Sequence, residues 1–307
     1  MNTSHWFHVG RADGRSIAVR THGHAHKPAV VLSNGIGCTE AFWAHLVDAL
    51  CTDFWVIEWF YRGHYISEPA SDPQAYRVED LALDLEHILA QLQIETAVFC
   101  AFSLGVMVTL AHYRLNPGRH RAMVLISGTY ADPFQAMWRG ALRPLILATL
   151  AVGRRIPRLS RRVLRHGLRS PFAVTIGQRL GFIEANVPRD HCRGYLARLS
   201  TIQPQPYLTM MHAMSAFDAT EILPRVDVPV RVIAGTHDHM APLPIMQALA
   251  DAIPQASLHV IPNASHTLLF TFAAEISAEI RAFLNLTLDA TNASGPSPRH
   301  DAANAQT

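Results

Sequence analysis

Short apolar segments alternate with helical patterns along most of this chain, and this alternation constrains its fold more than any other feature. The strand-like segments are rich in β-branched and aromatic residues, and several are apolar throughout, as in parallel strands covered on both faces. They are residues 29–33, 54–59, 96–101, 122–127, 230–234 and 257–261. Residues 78–92 and 104–115 show the three-to-four-residue apolar repeat of helices. The pattern predicts an α/β fold with a doubly wound, mostly parallel sheet.

The alternation stops after Asp132, and strand-like segments resume at Val228. Residues 131–216 have helical character with proline and glycine breaks, which predicts a helical cap inserted into the core. The α/β core then comprises residues 1–130 and 217–286. Residues 287–307 are rich in small and polar residues, so we expect a disordered tail there.

Composition argues against several classes of protein. The chain has 307 residues, 49% of them hydrophobic, which is enough for a large core, and a formal net charge of +2 gives no reason to expect a nucleic-acid partner. Four widely spaced cysteines form no CxxC pair, so neither a disulfide framework nor a zinc site is indicated. The first residues lack the apolar region of a secretory signal, and the longest apolar run is too short to span a bilayer. We expect a cytoplasmic protein.

The segment AFSLG at residues 101–105 joins a predicted strand directly to a predicted helix. This strand–turn–helix context is what the G-x-S-x-G pattern of an activated serine requires. Ser103 would lie on a sharp turn at a helix N-terminus, where free N–H groups and the helix dipole favour developing negative charge. Ala101 replaces the usual first glycine and is the smallest substitute for it. We interpret Ser103 as a nucleophile; the alternative is a buried serine that packs at a strand end.

A serine nucleophile needs a base and an orienting acid. The chain has 18 histidines, so position has to select among them. His266 follows the last predicted strand, in a loop from which its ring can reach over the sheet edge; the alternative is a solvated side chain. Asp238 follows the strand at 230–234, at the carboxyl end where ligand sites gather in open α/β sheets. The chain order Ser103, Asp238, His266 is the order expected of a triad on such a sheet.

Together, these motifs resemble the α/β-hydrolase superfamily. The matching segments are residues 33–37, 62–67, 101–105, 235–238 and His266, and they cover the core but not the cap. The resemblance implies that the backbone N–H groups of Ile36 and Leu104 form an oxyanion hole. Three positions depart from the family pattern: Asn34 replaces the usual histidine, Phe60 an aspartate and Tyr65 a glycine.

Two features of the motifs have competing interpretations. Asp132 follows another strand, and some members of the superfamily place the triad acid there. We favour Asp238, because its flanking glycine and the following Pro242 match the commoner pattern. The Arg-Gly-His turn at residues 62–64 is interpreted as structural rather than catalytic.

Residues 133–183 of the predicted cap contain ten arginines and no aspartate or glutamate. One interpretation is a solvated arginine face; the other is a surface that docks an anionic carrier or an anionic membrane. We expect the apolar side of the cap to line an acyl pocket. Met210, Met211 and Met214 either extend this pocket or are ordinary core residues. The expected lining includes Met137, Trp138, Leu145, Leu147 and Leu150.

These features favour a serine hydrolase that cleaves a carboxylic ester through an acyl-enzyme, on a small-molecule substrate with an apolar acyl group. Three alternatives stay open. The first is a thioesterase or lactonising cyclase that acts on a carrier-bound acyl chain. The second is a cofactor-free C–C hydrolase, lyase or perhydrolase, and the third is a non-catalytic ligand receptor. No metal, nucleotide or other cofactor is implied.

Overall fold

Eight strands form one sheet in the computed structural model, which describes residues 5–179, 183, 187 and 189–293. Their order across the sheet is β1-β2-β4-β3-β5-β6-β7-β8, and all neighbours from β4 to β8 are parallel. This confirms the predicted α/β class. The strands are β1 Phe7–Gly10, β2 Ser16–His22, β3 Ala29–Ser33, β4 Trp55–Trp59, β5 Ala97–Phe102, β6 His120–Ile126, β7 Val230–Gly235 and β8 Ala256–Ile261.

The antiparallel strands β1 and β2 were not predicted. They form a hairpin at one edge of the sheet, where β2 also pairs with β4 in the antiparallel sense. The four residues of β1 are mostly exposed, with Val9 as the buried exception. An edge strand of this kind lacks the continuous apolar run by which the other strands were found.

Helices cover both faces of the sheet and fill the long interval between β6 and β7. The chain forms α1 Ala44–Leu50, α2 Val78–Gln91, α3 Leu104–Leu115, α4 Pro133–Ala136, α5 Arg143–Arg155, α6 Pro157–Leu168, α7 Ala173–Arg179, α8 Arg189–Leu199, α9 Pro204–Met214, α10 Leu243–Ala252, α11 Leu268–Thr271 and α12 Ala273–Ala293. Among the residues described here, no helix combines the length and apolarity needed to cross a bilayer.

The last helix, α12, continues to Ala293, which corrects the predicted start of a disordered tail at residue 287. Phe283 and Leu284 are buried against the core and anchor the helix, and the hydroxyl of Thr287 donates to the carbonyl of Phe283 over 2.7 Å. Once a helix is anchored in this way, each further turn adds hydrogen bonds at little cost. Residues 294–307 of the predicted tail lie outside the described residues.

The two faces of the sheet build two separate apolar cores. Successive strand residues point to opposite faces, so Val31 packs in the core beneath α2 and α3 while Val30 and Leu32 pack in the core beneath α1 and α12. Both faces are therefore closed by helices. The carboxyl edge of the parallel strands, where β3, β5, β6, β7 and β8 all end, is left as the place where loops converge.

Candidate active site

Loops at the carboxyl ends of three strands bring Ser103, His266 and Asp238 together. The Oγ of Ser103 lies 3.0 Å from Nε2 of His266, and Nδ1 of His266 lies 2.9 Å from Oδ2 of Asp238. The side chain of Asp238 is fully buried and that of His266 is 11% exposed. In this arrangement the imidazole can take the proton of the serine while the carboxylate holds the other ring nitrogen.

A strained turn presents Ser103 between β5 and α3. Its φ of 54° and ψ of −116° are unusual for a residue with a side chain, and conformations of this kind cost about 1–3 kcal/mol. Two glycines allow the surrounding backbone to come close: a Cβ on Gly105 would lie 2.1 Å from the carbonyl oxygen of Ser33, and one on Gly128 would lie 2.7 Å from that of Ser103. The turn is therefore held by its packing.

The loops that carry Asp238 and His266 are tied to each other. A Cβ on Gly235 would lie 2.3 Å from the carbonyl oxygen of Ala264, so only glycine permits this approach. The N–H of His237 donates to the same oxygen over 2.9 Å. Close contact between the two loops fixes the distance between the acid and the base.

Backbone donors hold the second carboxylate oxygen of Asp238. Its Oδ1 accepts hydrogen bonds from the N–H groups of Met240, over 2.8 Å, and Ala241, over 2.9 Å. With His266 on Oδ2, this buried carboxylate has three donors. These three hydrogen bonds hold the carboxylate in one orientation toward His266.

The rival acid, Asp132, is engaged elsewhere. Its Oδ1 accepts the N–H of Phe134 at the start of α4, and its Oδ2 accepts from Nε of Arg143 over 2.6 Å. Asp132 is thus a helix cap and one half of an ion pair. The structure brings Asp238, and not Asp132, to the imidazole.

The two expected oxyanion donors flank Ser103. Leu104 is the first residue of α3, and Ile36 lines the same cavity as Ser103 and His266. Within the described part of the chain, neither backbone N–H donates to a protein acceptor. Free N–H groups at a helix N-terminus and in a neighbouring loop can both point at one oxygen, which is the requirement for an oxyanion hole.

Two tyrosine hydroxyls, for which the sequence predicted no role, hold the loop of Ile36. The hydroxyl of Tyr61 donates to the carbonyl of Asn34 over 2.5 Å, and that of Tyr65 donates to the carbonyl of Gly37 over 2.6 Å. Burial raises the pKa of both tyrosines, so both hydroxyls stay protonated as donors. The signal for them in the sequence is the aromatic run that follows β4.

Asn34 replaces the usual histidine without loss of local order. Its Nδ2 donates to the carbonyl of Trp59 over 3.0 Å, and its Oδ1 accepts from Nε1 of Trp43 over 2.7 Å. Phe60, in place of the usual aspartate, is buried and stacks on Trp6 with ring centres 4.5 Å apart. In this chain, the side chain of Asn34 therefore bridges Trp59 and Trp43, and Phe60 contributes aromatic packing.

The Arg-Gly-His turn after β4 is packed into the protein. Arg62 forms a bidentate ion pair with Asp84, with both N–O distances at 2.7 Å. His64 is buried, and burial lowers its pKa to about 4. Its ring packs near Tyr61 and Tyr207.

A cavity of about 40 Å³ adjoins Ser103. Five of the nine methionines line it, namely Met107, Met137, Met211, Met214 and Met240. The other lining residues are Ile36, Ser103, Ser127, Gly128, Thr129, Pro133, Phe134, Ala241 and His266. This volume has room for a small group, so a longer acyl chain requires movement of the flexible methionines.

The predicted lining from the cap is partly wrong. Met137 lines the cavity, whereas Leu145 is 66% exposed. Leu147 and Leu150 pack with Met137 and Met211 but are not part of the cavity wall. The side chain of Trp138 lies outside the described residues. The structure places Met211 and Met214 on the cavity wall and Met210 in the core beneath the sheet.

Among the described residues, no group of three or more histidine, cysteine, aspartate or glutamate side chains is arranged to hold a metal ion.

The fold and this arrangement of loops are those of a known family. The model of the alpha/beta hydrolase fold family matches residues 28–273, and the chain belongs to this family. It is an α/β-hydrolase enzyme. The solved enol-lactonase of Burkholderia xenovorans LB400 has the same fold, with a TM-score of 0.71 and 24% identity over 89% of this chain and 98% of that one.

Two curated relatives carry the names of a hydrolase and an esterase. A protein of Pseudomonas syringae pv. syringae, provisionally named carbamate hydrolase RutD, is 27% identical over 85% of this chain and 95% of its own length. The pimeloyl-[acyl-carrier protein] methyl ester esterase of Vibrio atlanticus is 26% identical over 85% of this chain and 96% of its own length. Similarity to such relatives supports ester hydrolysis as the general activity.

Proposed function

We propose that Ser103 hydrolyses a carboxylic ester through an acyl-enzyme, with His266 as the base and Asp238 as the acid that orients it. The observation that carries this proposal is the unbroken chain of hydrogen bonds from Ser103 through His266 to the buried carboxylate of Asp238. A serine hydroxyl is a weak nucleophile until a base removes its proton. An imidazole 3.0 Å away, held by a carboxylate, is such a base.

The reaction proceeds in two halves. Nε2 of His266 accepts the proton of Ser103 as Oγ attacks the ester carbonyl, and the N–H groups of Ile36 and Leu104 stabilise the oxyanion. The imidazolium then protonates the leaving alkoxide, and the alcohol departs. Water, deprotonated by the same imidazole, attacks the acyl-enzyme, and the acid is released as Ser103 regains its proton.

The cavity indicates an apolar acyl group. Its wall is mainly thioether and aliphatic carbon, which favours burial of hydrocarbon. The names of the two relatives describe a carbamate and a methyl ester as substrates, and both substrates contain a carbonyl group. A small-molecule ester with a short apolar acyl group is the substrate class proposed for this chain.

Covalent labelling tests the nucleophile. A fluorophosphonate probe reacts with a serine only when its base and oxyanion donors activate it, so we expect labelling of Ser103 in the wild type and none in Ser103→Ala. Thr109→Val serves as the matched control, because it removes a buried hydroxyl inside α3. A folded wild type that resists the probe would refute the hydrolase mechanism and favour the non-catalytic receptor.

Substrate panels separate the remaining alternatives. Esters and thioesters are both expected to acylate Ser103. The kcat/KM values on p-nitrophenyl esters and on acyl-thioesters with the same acyl groups therefore show which of the two bonds the enzyme prefers to hydrolyse. Lactonisation appears as cyclic product, and C–C cleavage or perhydrolysis requires substrates outside this series. The proposal requires that esters be turned over with the highest kcat/KM.

We also propose that the basic cap attracts an anionic carrier or membrane that presents the acyl group. Arg161, Arg162 and Arg165 are exposed on α6, and Leu159 and Val163 of the same helix are more than half exposed. Such a surface combines charge with exposed apolar groups, as interfacial helices do. Because the four cysteines are free thiols, which suits a reducing compartment, the proposed location is the cytoplasm.

Replacement of all three arginines by glutamine tests the cap. We expect slower turnover of vesicle-bound or carrier-bound esters at low salt, with the rate on a soluble p-nitrophenyl ester unchanged. Added salt should weaken the wild-type preference because exposed charges are screened. Equal rates for wild type and variant on every presented substrate would refute the role of the cap.

A further inference from the structure

Ser127 is a buried serine on the wall of the active-site cavity. It follows β6 directly, it is fully buried, and its N–H donates to the carbonyl of Ile233 over 2.9 Å. Its Oγ has no hydrogen-bond partner among the residues that the structure describes. The residue lines the same cavity as Ser103 and His266.

Two features of Ser127 are energetically unfavourable. The φ of Ser127 is 41°, in the left-handed region that residues with a side chain rarely adopt. A buried hydroxyl without a partner also loses the hydrogen bonds that it makes to water in the unfolded chain. A residue that carries both costs beside a nucleophile suggests that the partner of its hydroxyl is supplied when substrate binds.

The other hydroxyls in the cavity already have partners. Ser103 bonds to His266, and Thr129 donates to the carbonyl of Ala131 over 2.8 Å. The rest of the wall is mainly methionine, phenylalanine and other apolar side chains. Ser127 therefore offers the uncommitted hydroxyl of this cavity, in apolar surroundings where a hydrogen bond discriminates strongly between ligands.

The order of the strands indicates which part of the substrate meets Ser127. β5, which carries Ser103, lies between β3, which leads to Ile36, and β6, which leads to Ser127. In the tetrahedral intermediate the oxyanion points toward Ile36 and the leaving oxygen toward His266. The remaining substituent, the acyl group, is then directed to the side of Ser127 and the methionines.

We infer that Ser127 forms a polar subsite for a second oxygen on the acyl group, a keto or hydroxyl oxygen a few bonds from the scissile carbonyl. The hydroxyl of Ser127 donates to a keto oxygen and can either accept from or donate to a hydroxyl. The inference rests on the proposed ester hydrolysis at Ser103 and narrows its substrates to short oxo-acyl or hydroxy-acyl esters. The chain of the substrate stays apolar, as the wall requires.

Matched esters and one substitution test the subsite. The substrates are p-nitrophenyl butyrate, 3-oxobutyrate and 3-hydroxybutyrate, which share a chain length and a leaving group. In the wild type, we expect the oxygenated esters to be preferred over butyrate. In Ser127→Ala, the ratio of kcat/KM on the oxygenated esters to kcat/KM on butyrate should fall ~10-fold, the worth of one neutral hydrogen bond.

Thr109→Val is the control for loss of a buried hydroxyl. Thr109 is also fully buried with an unpartnered hydroxyl, but it lies inside α3 and is not part of the cavity wall. This variant should leave the ratio of oxygenated to plain ester rates at the wild-type value. The midpoint of thermal unfolding of Ser127→Ala should not fall, whereas a serine that only supports the fold would lower it on replacement.

The outcomes separate the subsite from the hydrolase mechanism. An unchanged ratio in Ser127→Ala, or an equal fall on all three esters, overturns the subsite while hydrolysis by the wild type still supports the triad. A wild type that hydrolyses none of the three, and that the fluorophosphonate probe does not label, overturns the proposed function and the subsite with it.

Discussion

Replacement of Asp238 by asparagine is the sharpest test of the site, because the structure dictates how the new amide must lie. The carboxylate accepts two backbone N–H groups on Oδ1 and His266 on Oδ2. An asparagine has one acceptor oxygen. If that oxygen keeps the two backbone donors, its NH₂ group faces Nδ1 of His266. The opposite orientation directs the NH₂ group at two other donors and loses two hydrogen bonds, about 1 kcal/mol each.

The first orientation is therefore favoured, and it reverses the donor and acceptor roles of the two ring nitrogens of His266. Nδ1 of His266 must then accept a hydrogen bond, so the ring proton moves to Nε2, which can no longer take the proton of Ser103. Loss of the productive tautomer costs ~10⁴-fold in kcat for triads of this kind, which corresponds to about 5 kcal/mol in the activation barrier. Steady-state kinetics on a soluble p-nitrophenyl ester, with circular dichroism to verify folding, measures the loss.

Asp132→Asn is the matched control for this experiment. It removes one charge from a helix cap and from an ion pair in which Arg143 is 37% exposed, so we expect kcat to change by less than about threefold and stability by less than about 1 kcal/mol. If Asp238→Asn retained kcat within tenfold of the wild type, or if Asp132→Asn lost as much as Asp238→Asn, the assignment of the acid would be wrong.

The remaining predictions concern the elbow, a buried histidine and the cap. Gly105→Ala should destabilise the protein by more than about 3 kcal/mol in urea denaturation, because the new Cβ meets backbone rather than a movable side chain, whereas Ala101→Gly should retain activity. Burial lowers the pKa of His64 to about 4 from an ordinary 6.5, so the unfolded chain binds a proton in this window that the folded chain does not. Stability should therefore fall as the pH decreases from 6.5 to 4, by up to ~3 kcal/mol, and His64→Gln should flatten that part of a denaturation series; an unchanged slope would contradict the assignment. Leu145→Gln should leave kcat/KM on a soluble ester unchanged, since Leu145 is 66% exposed. A fall in kcat/KM would indicate that Leu145 does line the acyl pocket.

The sequence predicted those parts of the molecule that depend on local patterns. Parallel strands are buried on both faces, so their apolar runs were visible, and a strand that runs directly into a helix identified Ser103. His266 could be selected among many histidines because topology limits which loops reach the carboxyl edge of the sheet. β1 escaped notice because it has four residues and is mostly exposed, and β2 because only three of its seven residues form an apolar run.

Long-range packing decided what the sequence could not predict. The tyrosines that hold the loop of Ile36 donate to backbone carbonyls many residues away. Because every residue has a backbone carbonyl, the sequence does not indicate which one accepts such a hydrogen bond. Whether Leu145 or Leu147 of α5 faces inward depends on how the helix rotates against α9. Composition alone does not specify that rotation.

The methionines that line the cavity form a flexible binding surface, and they also make it susceptible to oxidation. Peroxide converts a thioether into a sulfoxide, which is polar, bulkier and chiral. Oxidation of Met137, Met211 or Met240 beside Ser103 would place an oxygen dipole where an acyl chain must fit, without touching the triad. Because methionine sulfoxide reductases reverse this change, oxidant exposure would switch substrate binding off reversibly and leave the nucleophile itself intact.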